Sequence, residues 1–185
     1  LLHWPTDVIA SDSLKEVWGE METCHTRGLV RPLGVCNCNV QALLLLLSQC
    51  SIRPVVNQVE RHPLLPQWGL VDLCAQHDIL LQAHSPLGQG SNELLGHSVV
   101  QQVASRNSRS AAQVVLQWNL QQGVAAVPKC RSEEHMRDVL SARTGRGLST
   151  ADMEALNMIT ETKRFVAPPF MYGKDSYCWG ERVPK

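Results

Sequence analysis

The sequence predicts an α/β fold on a parallel sheet, for three reasons. Short apolar runs recur along the 185 residues, each bounded by Pro, Gly, Asn or Ser. Each run leads through a polar turn into a longer amphipathic segment, which is the rhythm of βα units. The runs are nearly continuous in apolar side chains, as strands buried on both faces of a parallel sheet must be. Five such units followed by two more helix openings fit the last five-eighths of a closed (β/α)8 TIM barrel, whose full chain takes about 250 residues.

Leu1–His3 is the first expected strand, and no turn precedes it, so the chain reads as the later part of a larger domain. A helix follows over Ser13–Arg27, where Leu14, Val17, Trp18, Met21 and Cys24 recur near the helical period. Asp12 or Ser13 is expected to cap its start, and Gly28 suits its stop. Strand Leu33–Cys36 leads to helix Asn39–Gln49, whose Leu43–Leu47 run is expected to pack on the sheet. Strand Val55–Val59 is followed by helix Leu65–Gln76, and strand Ile79–Ala83 by helices Leu94–Arg106 and Ser110–Gln121. Gly123 closes the last of these before strand Val124–Val127. Ser132-Glu-Glu-His135 and Ser149-Thr-Ala-Asp152 have the form of helix-opening caps. The barrel portion is assigned to residues 1–163 and an irregular tail to 164–185, which contains Pro168-Pro169 and several aromatics.

Seventeen basic residues balance seventeen acidic ones, and no basic stripe with interleaved aromatics occurs. Neither nucleic acid nor an anionic membrane surface is therefore the expected partner; a small molecule or another protein is. The longest apolar run, Ala42–Leu47, falls far short of the roughly 20 residues of a membrane span. The seven cysteines are odd in number and scattered, with no C-x-x-C pair, so reduced thiols and a cytoplasmic location are expected. Cys24 and His25 with Cys36 and Cys38 lack ligand-pair spacing, and no metal is expected.

Six motifs occur in order: Leu2-His3-Trp4-Pro5, Gly34-Val35-Cys36-Asn37, Val56-Asn57-Gln58-Val59-Glu60 with His62-Pro63, Ser85-Pro86-Leu87-Gly88, Ala112-Gln113-Val114 through Trp118, and Val127-Pro128-Lys129. All but the Ala112 to Trp118 segment fall at or just past the C-terminal end of an expected strand, where barrel enzymes carry their sites. In order and spacing the set resembles the aldo-keto reductase superfamily, NAD(P)H-dependent oxidoreductases on a (β/α)8 barrel. The resemblance runs from His3 to about Ile159. It implies hydride transfer from a reduced nicotinamide to an aldehyde or ketone carbon, with a proton delivered to the carbonyl oxygen.

By the same resemblance, His3 is the catalytic histidine that orients and polarises the carbonyl, as a donor aimed at a developing alkoxide does. Trp4 supplies an apolar wall for the substrate. Asn37 and Gln58 match the residues that hold the nicotinamide carboxamide, with Cys36 in place of a serine and its thiol a weaker hydrogen-bonding group. His84 stands where an aromatic stacks on the nicotinamide ring. The backbone around Ser85, Leu87 and Gly88 resembles the loop that passes the pyrophosphate, and Lys129 matches the lysine that pairs with the adenosine phosphate, which fits NADPH. Cys130, His135, Asp138 and Val139 replace a serine or threonine, an arginine and a Glu-Asn pair. Arg131 is the compensating cation, since a neutral histidine lacks the arginine's permanent charge and bidentate fork. Glu60 and His62 either belong to the site wall or pair with their neighbours, and the sequence leaves both open.

The expected function is NADPH-dependent reduction of a small aldehyde or ketone, by a protein that is monomeric at full length. The family's tyrosine acid, with its lysine and aspartate, lies upstream of the matched region, and Tyr172 and Tyr177 do not match it. General acid catalysis is worth about 10²–10⁴-fold, so the chain by itself is expected to be nearly inactive. The alternative is a pseudoenzyme, a truncated barrel that binds nucleotide or protein without catalysis. A further alternative is a fragment that does not fold stably, because open sheet edges invite pairing with other chains. Trp179, Phe170 and Tyr172 are candidate additions to the substrate pocket.

Overall fold

A computed structural model describes residues 1–144 and 146–168 of the chain. The chain divides into two units, one formed by Leu1–Val59, Trp68–Leu81 and Ala167–Lys185, the other by Glu60–Gln67 and Gln82–Val166.

The first unit opens with a single parallel bridge between Leu2 and Val35, not a strand over Leu1–His3. Leu2 donates its N–H to Gly34 O at 2.9 Å and accepts from Cys36 N–H at 2.8 Å. Pro5, without an N–H, ends any further pairing and starts a short helix that the sequence reading missed, α1 (Thr6–Ala10). Helix α2 (Leu14–Thr26) buries Leu14 and Trp18, and the Trp18 indole N–H donates to Ile52 O at 3.0 Å. Neither expected cap bonds its first turn: Ser13 makes no side-chain capping bond, and Asp12 sits at φ 55°. Gly28 is at φ 71°, as a left-handed helix stop requires.

Strand β1 (Gly34–Cys36) is wholly buried. Helix α3 (Val40–Gln49) follows, its start capped by the Asn39 side chain accepting from Ala42 N–H, and it buries Ala42, Leu43 and Leu46. Leu44 and Leu45, in the same apolar run, are exposed. Strand β2 (Val56–Glu60) pairs parallel with β1, Val35 opposite Asn57 and Cys36 opposite Gln58. Helix α4 (Trp68–Gln76) starts later than the expected Leu65, because His62 and Leu65 form a small antiparallel bridge and Gln67 turns at φ 52°. Helix α3 packs on both α2 and α4.

Strand β3 (Leu80–His84) pairs parallel with β4 (Ala125–Val127) through Gln82, Ala83 and His84, its residues in the second unit. The expected helix Leu94–Arg106 is two helices, α5 (Asn92–Leu95) and α6 (Ser98–Arg106). They break at Gly96 and His97, where the His97 ring leaves the helix and accepts Val99 N–H, capping α6. Helix α7 (Ala111–Leu120) opens with a full capping box between Ser110 and Gln113. Helix α8 (Glu133–Thr144) and helix α9 (Thr150–Asn157) follow β4. Ser132 accepts His135 N–H at 3.2 Å and Ser149 accepts Asp152 N–H at 3.1 Å, as their sequence patterns predict.

One apolar cluster holds this unit together, built on Leu64, Leu94, Val100, Val103, Val114, Val115, Trp118 and Leu156. Arg61 is fully buried in the same unit, its Cζ 4.2 Å from the Trp118 ring centroid. Its guanidinium donates to Pro66 O at 3.0 Å, Asn119 Oδ1 at 2.7 Å and Gln122 Oε1 at 2.9 Å. Burial pushes Arg61 down to about 10. Among the described residues no helix is long and apolar enough to cross a membrane.

Candidate functional site

The C-terminal ends of β1 and β2 bring three of the expected residues together in the first unit. Asn37, just past β1, is buried and sits at φ 62°, a conformation asparagine tolerates better than most residues. That turn aims its amide back at the strand ends, where Nδ2 donates to His3 O at 3.1 Å and to Cys36 Sγ at 3.3 Å. The Asn37 N–H donates to Gln58 O at 2.8 Å, and the Cys36 thiol lies 3.8 Å from Gln58 Oε1 as a donor. His3 is exposed, and its ring lies 5.7 Å from that of Trp4, tilted by 51°. The backbone at His3 is therefore tied to Asn37 while its imidazole stays accessible.

The second unit contains a cleft of about 860 Å³, within the usual range of small-molecule sites. His84 and Ser85 line one part, Leu87, Gln89 and Gly90 the adjoining turn, and Lys129, Cys130, Arg131 and His135 the stretch from β4 into α8. His84 Nδ1 lies 3.3 Å from Ser85 Oγ. The turn is unusual in its backbone: Ser85, Gly88, Gln89 and Gly90 all have positive φ, at 45°, 56°, 58° and 80°. The turn closes on itself, Gly88 N–H donating to Ser85 O, Gly90 N–H to Leu87 O and Ser91 N–H to Gly88 O. The cleft pairs this turn with two permanent cations, Lys129 and Arg131.

Asp138 is the one carboxylate among the described lining residues, and both its oxygens are engaged. Ser110 Oγ donates to Oδ2 at 3.0 Å and Gln113 Nε2 to Oδ1 at 3.0 Å, which ties the carboxylate to α7. Gln89, Gly90, Leu95 and Ala112 also line the cleft and were not anticipated. The Gly88-Gln89-Gly90 spacing just after a strand is the signal that marks the first two.

Glu60 and His62 pair with each other: His62 Nε2 lies 3.0 Å from Glu60 Oε1, and both side chains are buried. Neither lines the cleft. Burial alone raises the Glu60 carboxyl, but bonds from His62 and from the Phe165 and Val166 amides outweigh it and hold the group below the ordinary glutamate value. Phe170, Tyr172 and Trp179 lie outside the described residues.

Sequence comparison matches the Aldo/keto reductase family over residues 1–161. The chain is 39% identical to aldose reductase C of Dictyostelium discoideum over 171 residues, 92% of this chain and 53% of that protein. It is 38% identical to glyoxal reductase of Bacillus subtilis over 167 residues, 89% of this chain and 57% of that protein. Among solved structures, an aldo-keto reductase complexed with NADPH superposes with a TM-score of 0.80 at 25% identity, covering 91% of this chain and 54% of that one. The chain thus spans about half the length of the curated relatives it matches. Its parallel α/β fold is the one seen in (β/α)8-barrel reductases. The match over residues 1–161 means that the chain belongs to the aldo/keto reductase family.

Proposed function

We propose that these residues form the cofactor-binding part, and the carbonyl-polarising histidine, of an NADPH-dependent reductase of small aldehydes or ketones. The observation that carries the reading is the second unit's cleft, where Lys129, Arg131 and His135 share a lining with the positive-φ turn after β3. That lining suits a phosphate-bearing ligand, because cationic side chains recognise phosphate through charge-assisted hydrogen bonds. Ser110 and Gln113 hold the Asp138 carboxylate toward α7.

On this reading Lys129 pairs with the adenosine phosphate, with Arg131, Cys130 and His135 beside it, and the turn around Ser85, Leu87 and Gly88 holds the pyrophosphate. His84 stacks on the nicotinamide ring, while Asn37, Gln58 and Cys36 fix its carboxamide. Bound NADPH supplies the hydride. His3 donates a hydrogen bond to the carbonyl oxygen, and its backbone link to Asn37 sets where that donor sits. Trp4 shields the carbonyl from water. Seven scattered cysteines without a C-x-x-C pair favour the cytoplasm as the setting.

Titration of the purified 185-residue chain with NADPH and with NADH, followed by calorimetry, tests the proposal. Saturable binding of NADPH is expected, and Lys129→Met is expected to weaken it about tenfold, the worth of one charge-assisted contact. Failure of both dinucleotides to bind overturns the reading.

A further inference from the structure

Glu60 closes β2 and is 1% exposed. A carboxylate taken out of water is costly unless its oxygens are fully hydrogen-bonded, and here the bonding reaches far along the chain. Oε1 accepts the Phe165 N–H at 2.7 Å and Oε2 the Val166 N–H at 3.0 Å, across 105 and 106 residues of sequence. His62 Nε2 stands 3.0 Å from Oε1 and Arg164 Nη1 3.7 Å from Oε2. Two successive amides held by the two oxygens of one carboxylate fix the direction of the segment at 164–166. A second tie, from Lys163 N–H to Leu64 O at 2.8 Å, enters it from the same side of the sequence.

The consequence falls on Phe165. Its ring lies 5.2 Å from the His62 ring and presses on Gly88: a Cβ at Gly88 would come within 2.8 Å of Phe165 Cε2. Gly88 is buried and lies in the turn that lines the cleft, donating its N–H to Ser85 O at 2.9 Å while Gly90 donates to Leu87 O at 2.9 Å. Phe165 therefore occupies the space a side chain at residue 88 would take, and it backs the turn whose residues Leu87, Gln89 and Gly90 line the cleft.

We infer that Glu60 is a positioning residue for the turn after β3: by docking residues 164–166 it holds Phe165 against Gly88 and so fixes where the turn stands in the part of the cleft assigned to the pyrophosphate. The inference rests on the dinucleotide reading of the cleft. Glu60 touches no cofactor itself, and its effect is transmitted through one aromatic ring.

The test compares Glu60→Gln, Phe165→Ala and the double variant with the unaltered 185-residue chain. Each is titrated with NADPH and with adenosine 2′-monophosphate, which lacks the pyrophosphate, and amide hydrogen exchange is followed without ligand. Glu60→Gln is expected to weaken NADPH about tenfold, as loss of contacts to a charged group does, while adenosine 2′-monophosphate changes by less than about twofold, as for an independent site. Exchange at residues 87–90 is expected to accelerate about tenfold while the amides of α7 keep their protection. Phe165→Ala, which leaves the carboxylate in place, is expected to reproduce the loss, and the double variant to add nothing. Equal weakening of both ligands, or unchanged exchange at 87–90 in both single variants, overturns the inference. If the unaltered chain binds no NADPH, the dinucleotide reading falls, and the exchange of the turn alone decides whether Glu60 positions it.

Discussion

The residues after β1 and β2 and the cleft beside β3 and β4 are built on opposite plans. At Asn37 the polar groups are neutral, largely buried and bonded to one another, so that His3 O, Cys36 Sγ, Asn37 Nδ2 and Gln58 form one short chain of contacts. Around Lys129 the side chains are charged and exposed, and the ordered component is backbone, the positive-φ turn from Ser85 to Gly90. A site that must orient one flat group needs fixed donors whose rotamers are settled in advance. A site that captures a diffusing polyanion needs net charge, and exposed cations supply it without the cost of burial. The proposed division of labour between carboxamide and phosphate follows that contrast.

The contrast breaks most sharply at Arg61. Arg61→Met retains volume but strands the oxygens of Asn119 and Gln122 and uncovers Trp118, which is expected to destabilise the second unit by about 3 kcal/mol. A fall in its melting temperature with unchanged exchange protection in α2 and α3 checks this.

Next in size is the Asn37 turn. Asn37→Ala loses both side-chain bonds and places a Cβ residue without a local polar contact at φ 62°, at a cost of about 2 kcal/mol. Asn37→Gly keeps the backbone conformation and is expected to cost about 1 kcal/mol less. Equal urea midpoints for the two variants would show that the turn is not under conformational demand.

Acid sharpens the comparison from the other side, because the first unit's cluster contains no carboxylate while residues 164–166 hang on one. Glu60 is depressed below its ordinary 4.5 by His62 and the two amides, against the opposing effect of burial, with the Arg164 cation also facing it. Its stabilisation is present in full above 4.5 and is lost as pH falls through the lower folded value. Proteolysis near residue 164 is expected to rise below that pH before α3 loses protection.

The smallest effect is a gain. His135→Arg returns a permanent charge to the cleft lining and is expected to tighten NADPH severalfold, with less effect on NADH. Equal gains for the two cofactors would place residue 135 away from the adenosine phosphate.

Features that depend on neighbours in sequence were readable from it. Four of the five strand cores, the Gly28 stop and the caps at Ser132 and Ser149 are local chemistry, and the structure has each of them. The motif residues around Cys36 and Asn37, and those from His84 to His135, fall together because each follows a strand end. Boundaries failed where side-chain geometry competed with periodicity. The periodic stretch from Leu94 to Arg106 hides a cap at His97, and three residues at Leu1–His3 yield only one bridge. The role of Glu60 was out of reach, because its partners at Phe165 and Val166 lie more than a hundred residues away and two backbone amides leave no trace in composition.

The stacked pair of Arg61 and Trp118 has an optical consequence. Trp118 is the one tryptophan among the described residues of the second unit, whereas Trp4, Trp18 and Trp68 belong to the first. Its indole N–H is held by Asn157 Oδ1 at 2.7 Å and its face is covered by a guanidinium, so its emission is tied to intact packing of α7 on α9. Replacing the other tryptophans by phenylalanine would leave a chain whose fluorescence reports the melting of the cleft-bearing unit separately.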